Sequence, residues 1–211
     1  MTGPSTSTGR RAFGAVTGAL LTGLVFGGCG GETPASSGTP SPSATAPEPA
    51  APPAQRAPLN HSVPTKIAIP RIGVSAPVGA IGLRPDGRVE EPPLSRPNLT
   101  GWYKEGVTPG EVGPSVLLGH VDARGRPAVF ARLKELKPGD RIQVKRQDGT
   151  TATFAVERSQ RVAKNAFPHG QVFGAALDHA SLRLVTCGGA FDPASGHYKD
   201  NVIVYARLLG T

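Results

Sequence analysis

An all-β domain with a few short helices, carried behind a disordered tether, is the fold class this sequence predicts. Three observations lead there. Glycine and proline number 28 and 22 in 211 residues, which excludes a long-helix protein and favours turn-rich β structure or disorder. From about residue 61 onward, short apolar or alternating runs recur between turn residues. Upstream of that point Pro, Ala, Ser and Thr dominate, and large apolar side chains are almost absent until the N-terminal segment is reached.

Residues 1–31 read as a targeting segment. Arg10 and Arg11 precede the uncharged stretch Ala12 to Gly28, the layout of an export signal with a positive start, an apolar stretch and small residues. Arg10-Arg11-Ala12-Phe13 is similar to a twin-arginine signal. Gly27 and Gly28 stand before Cys29 as small residues stand before the lipidated cysteine of bacterial lipoproteins, so Cys29 is the lipidation candidate. Phe26 departs from the Leu usual there. An uncleaved membrane anchor and plain secretion are the alternatives. All three place the remainder outside the membrane, and the expected location is the extracellular face of the cell membrane.

Residues 32–60 cannot bury enough apolar surface to offset their ordering entropy. They form the expected linker, partly polyproline-like, with a reach of about 90 Å at about 3.1 Å per residue.

Residues 61–211 are the only candidate core. Lys66 to Ile69, Ser115 to His120, Arg141 to Lys145, Thr151 to Val156, Ser181 to Thr186 and Asn201 to Leu208 have strand character. Asp148-Gly149 between two of them reads as a hairpin turn. Two short helical patches are expected, near Ala128 to Leu136 and Gln171 to Leu177. Many short strands with few helices predict a β-barrel or sandwich.

Composition also narrows the partners. Lys and Arg number 23 against 15 Asp and Glu, a formal charge of +8. That suits an anionic membrane or cell-wall surface. Aromatics are only 5% and the charges are dispersed, which argues against nucleic acid. Two cysteines are too few for a disulfide scaffold.

Cys187 ends the apolar run Leu182 to Thr186 and precedes Gly188-Gly189. A thiol at a strand end beside flexible residues can meet a substrate backbone closely. With Cys29 lipidated it is a free thiol outside the cytoplasm, a liability unless used. A buried apolar cysteine is the alternative. His120 ends the run Val116 to Gly119 and can exchange protons near neutral pH. A packing or surface histidine is its alternative. His61, His169, His179 and His197 lie in loops or at the linker edge. Cys187, His120 and another histidine do not show zinc-ligand spacing, so no metal and no cofactor is expected. No acidic cluster suggests calcium.

Leu184-Val185-Thr186-Cys187 closing a strand resembles the Thr-Leu-x-Thr-Cys signature of sortases. Gly119-His120, about 65 residues upstream, resembles the sortase histidine. The run Gly188 to Ala206, GGAFDPASGHYKDNVIVYA, resembles the last loop and strand of actinobacterial class F sortases. Ile67 to Val74 is similar to a sortase opening strand. The likeness covers essentially all of 61–211.

The resemblance implies an eight-stranded β-barrel and a membrane-anchored extracellular transpeptidase, working as a monomer. Cys187 would attack the Thr–Gly bond of a Leu-Pro-x-Thr-Gly sorting signal and hold the product as a thioester. His120 would protonate the leaving amine and activate the incoming one. Partners would be proteins with a C-terminal sorting signal and a peptidoglycan precursor or other amine acceptor. Sortases use a third residue, an Arg on the final strand. Its place falls at or near Asn201, with Lys199 the nearest cation. Arg183 replaces the first Thr of the signature and shares a strand face with Val185 and Cys187, so it is a candidate for the missing charge. Asn201 is a candidate hydrogen-bond donor, and Thr186 is expected to line the site. Asp122 is a candidate to orient the imidazole. Phe167 and Val172, in the segment 161–174, are candidate contacts for the Leu-Pro part of the signal. Packing of that segment on itself is the alternative.

Two rival readings stand beside this one. An L,D-transpeptidase has a different motif around its cysteine, which Thr186-Cys187-Gly188-Gly189 does not match. A non-catalytic binding lipoprotein would leave Cys187 incidental.

Overall fold

The computed structural model describes residues 57–210. The anchor segment 1–31 with Cys29, and the tether as far as residue 56, lie outside the described residues. The chain forms β1 (Pro64–Ile69), β2 (Val74–Ile81), β3 (Thr100–Tyr103), β4 (Gly113–Leu118), β5 (Asp122–Ala123) and β6 (Arg126–Pro127). It continues with β7 (Arg141–Arg146), β8 (Thr151–Ala163), α1 (His169–Phe173), β9 (Ala180–Asp192) and β10 (His197–Gly210). Eight strands close a barrel in the order β1-β2-β3-β4-β9-β10-β8-β7, and β5 and β6 form a separate small ribbon. Barrel closure leaves none of these strands as an exposed sheet edge.

The alternating sequences place the core. In β7, Ile142 and Val144 face inward and are fully buried. Ala152, Phe154 and Val156 of β8 do the same, joined inside by Leu117, Leu182, Leu184 and Val204. Between β7 and β8 the turn forms as the sequence predicts. Asp148 Oδ1 accepts hydrogen bonds from the Thr150 amide at 2.9 Å and hydroxyl at 2.7 Å, and Gly149 takes φ +84°, a conformation glycine adopts without steric cost.

A register shift in the β8–β10 pairing separates the couples Tyr205↔Arg158 and Ala206↔Val156. Glu157 is the extra residue, a β-bulge. A one-residue insertion reverses which side chains face out. Hence Val156 points into the barrel, whereas Arg158, Gln160 and Val162 lie on the outer face opposite Tyr205, Ile203 and Asn201. That outer face carries a second apolar cluster, Val116, Val172, Val185, Ile203 and Tyr205.

Both expected helices are shorter than predicted. Ala128 to Leu136 is turns followed by a single 3-10 turn at Leu133–Glu135. Val129, Phe130 and Leu133 are buried, so tertiary packing rather than helical propensity sets this segment. The second is one turn of helix, His169–Phe173, ending at Gly174. Helices this short draw their stability from what they pack against.

Candidate active site

β4 and β9 lie side by side and parallel, with Leu117↔Leu184 and Leu118↔Val185 in register. The Gly119 amide continues the ladder, donating to the Val185 carbonyl at 3.1 Å. Two residues beyond the Leu118↔Val185 couple stand His120, just past the end of β4, and Cys187, within β9, so the strand end expected at Cys187 is not observed. Strand alternation puts both on the outer face with Leu118 and Val185. They line one small pocket of about 60 Å³ with Glu91, Pro92, Thr186 and Asn201. Both residues are half-buried, and Cys187 has no disulfide partner among the described residues.

His120 is held at two points, one on its backbone and one on its ring. The His120 carbonyl accepts a hydrogen bond from the Phe130 amide at 3.0 Å. Its Nε2 lies 2.6 Å from the Pro92 carbonyl oxygen. A carbonyl only accepts, so Nε2 carries the proton and donates it. Among the described residues, Nδ1 has no hydrogen-bond partner. Glycine at 119 is required by close approach: a Cβ there would lie 2.6 Å from Phe130 Cδ2 and 2.7 Å from Val129 Cγ1.

Burial pushes the Cys187 thiol pKa up. The positive charge of Lys164 opposes this, while the negative charges of Glu91 and Asp122 add to the upward shift. Asn201 is directly opposite Cys187 in the β9–β10 ladder.

The other predicted residues are placed as follows. Asp122 accepts a hydrogen bond from the Tyr198 hydroxyl, and that bond, together with the nearby carboxylate charge, raises the phenol's pKa. The bond ties the ribbon that follows His120 to the hairpin that follows Cys187. Arg183 shares the Cys187 face but is buried. Its Nη1 donates to the Ser181 hydroxyl and to the Leu182 carbonyl at 3.2 Å, toward the end of β9 remote from Cys187. Its guanidinium carbon lies 4.6 Å from the centroid of the Tyr205 ring. Thr186 pairs with Val202 on the inner face, where its hydroxyl is buried without a partner. Val172 is fully buried in the outer cluster. Phe167 is half-buried and meets His169 edge-on at 4.8 Å between ring centroids.

Glu91, Pro92, Lys164 and Tyr198 were not singled out from the sequence. Pro92 contributes only a carbonyl, which leaves no trace in side-chain type. Lys164 sits inside the segment 161–174, where the apolar residues Phe167 and Val172 are the more conspicuous ones.

A family model described as the Sortase domain matches residues 67–209. Comparison with curated proteins finds no match. Among solved structures, the chain is similar to sortase C1 of GBS pilus island 1, at 17% identity and TM-score 0.55, covering 70% of this chain and 64% of that one. Sortase A from Corynebacterium diphtheriae gives 18% identity and TM-score 0.54, covering 72% and 63%. Sortase C-1 from Actinomyces oris gives 21% and 0.54, covering 70% and 74%. The chain thus spans a little under two thirds of the first two. At these identities the solved structures establish a shared fold, and the domain match, which takes in both His120 and Cys187, establishes descent: the chain belongs to the sortase family.

Proposed function

We propose that this chain is a cysteine transpeptidase that acts on a Leu-Pro-x-Thr-Gly-type sorting signal at the outer face of the cell membrane. The observation that carries this is that His120 and Cys187, each two residues past the parallel couple Leu118↔Val185, line a common pocket. The Cys187 thiolate attacks the Thr carbonyl carbon, and a sulfur–carbon bond forms. The carbon–nitrogen bond to Gly breaks as protonated His120 gives its proton to the departing amine. The acyl group is left as a thioester. An incoming amine, from a cell-wall precursor or similar acceptor, loses its proton to His120 and displaces the sulfur. One difficult displacement becomes two easier ones.

The Asn201 position opposite Cys187 suits a neutral hydrogen bond to the developing oxyanion or to the substrate backbone. The run Gly188 to Ala206 supports an actinobacterial, class F-like subtype. The sequence Arg10-Arg11, the uncharged stretch Ala12 to Gly28 and Cys29 support the envelope location.

Incubating the protein with Leu-Pro-x-Thr-Gly peptides and trapping the covalent adduct tests the reading. An acyl mass on Cys187, released by an added amine and absent in Cys187→Ala, is the expected result. Unchanged cleavage by Cys187→Ala, or no adduct with any such peptide, overturns it.

A further inference from the structure

The sortase arginine has no counterpart at Asn201, and Arg183 is turned toward Ser181. The strand register nevertheless brings another cation to the sulfur. Cys187 pairs with Asn201, and Asn201 pairs with Val162 of β8. Side chains of directly paired residues project from the same face of a sheet. The Glu157 bulge is what puts Val162 on that face. Lys164 follows two residues later, just past the last couple Asp200↔Ala163, where the chain enters a 3-10 turn at Lys164–Ala166. It stands exposed at the end of the strand that carries Val162, near enough for its charge to act on the Cys187 thiol.

We propose that Lys164 is a catalytic residue of this site: its ammonium faces the Cys187 sulfur and stabilises the thiolate that attacks the substrate carbonyl. The inference rests on the reading of Cys187 as nucleophile. The groups around that sulfur explain why a cation is needed. Glu91 comes from the β2–β3 connection, Asp122 from the ribbon after β4, and Tyr198 from β10; His120 faces it from the end of β4. Glu91 and Asp122 disfavour a second negative charge, as does burial itself. Lys164 is the cation that opposes them. A nearby ammonium is a known means of drawing a cysteine toward thiolate. Lys199 is the competing candidate; it sits at the register break between Tyr198 and Asp200.

Iodoacetamide alkylation across pH, followed on the Cys187 peptide by mass spectrometry, reads the thiolate fraction without any sorting peptide. In the full chain, Lys164→Gln is expected to slow alkylation at neutral pH about tenfold and move its midpoint up by about one unit. Lys164→Arg should keep most of the parent rate. The proposal is overturned if Lys164→Gln alkylates like the parent, or if Lys164→Arg loses as much as Lys164→Gln. It is overturned equally if Lys199→Gln alone reproduces the shift. A parent that cleaves no peptide while its alkylation still depends on Lys164 would remove the transpeptidase reading and leave the role of Lys164 standing.

Discussion

His120 and Cys187 occupy equivalent levels of two parallel neighbours, each two residues past the couple Leu118↔Val185. A parallel ladder keeps this alignment without a hairpin between the strands. The His120-bearing and Cys187-bearing segments are thus free to differ in everything that follows. The thiol's upward pKa shift sets the pH response. Thiolate accumulates as pH rises toward that raised pKa, so cleavage should be slow at acid pH and quicken on the alkaline side of neutrality. Initial rates on a sorting peptide between about pH 5 and 9 check this, and a flat profile contradicts it. Replacing His120 by Ala should lower the rate on the order of 100-fold or more.

Thiol burial also has a stability consequence. A thiol pKa raised on folding means the folded state keeps its proton more tightly. The associated stability is present below the unfolded thiol's pKa and is lost as pH rises through the folded value. Unfolding of the parent relative to Cys187→Ala should therefore become easier as solutions turn alkaline beyond about pH 8.5. Denaturant titrations of the two proteins at neutral and alkaline pH measure the difference. A difference that stays constant argues against a raised thiol.

Gly119 faces Phe130 too closely for any side chain. Gly119→Ala should cost about 1–3 kcal/mol through overpacking. It should also shift the His120 backbone and depress activity beyond what the stability loss explains. Urea unfolding and peptide cleavage, measured on the same sample, separate the two effects.

Tyr198→Phe removes the hydroxyl that donates to Asp122. The expected global loss is small, about 1 kcal/mol. The local loss should be larger: hydrogen exchange should quicken in the ribbon Asp122 to Pro127 and in the hairpin between Cys187 and Tyr198. Faster exchange spread evenly over the barrel would argue against a local clasp.

Val172 is completely buried against Val116, Val185, Ile203 and Tyr205. Val172→Ala should destabilise by about 2 kcal/mol, from lost burial and the space left behind. Its KM for a sorting peptide should stay near that of the parent while the protein remains folded. A KM effect without a stability effect would make Val172 a substrate contact.

Six strands could be read from the chain because apolar residues alternate or cluster there between turn residues, as in Arg141 to Lys145 and Thr151 to Val156. β2 was not read: its sequence, Val-Ser-Ala-Pro-Val-Gly-Ala-Ile, is poor in aromatic and consecutive β-branched residues. β3 is four residues, Thr-Gly-Trp-Tyr, too short to show a period. The far half of β8 was missed because the bulge at Glu157 breaks its alternation.

By itself, the sequence determined that residues 61–211 are β-rich and singled out Cys187 and His120; the strand end it predicted at Cys187 is not there, because β9 runs on to Asp192. Local pattern suffices for the β-rich reading, since strand alternation and turn residues act over a few positions. Only the tertiary structure decided what surrounds the sulfur. Pro92 donates no side chain, Lys164 lies 23 positions before Cys187, and Arg183 is drawn away by Ser181. Those relations depend on which strands are neighbours and on a one-residue bulge that turns β8 over, and barrel closure settles both across distances that no local pattern spans.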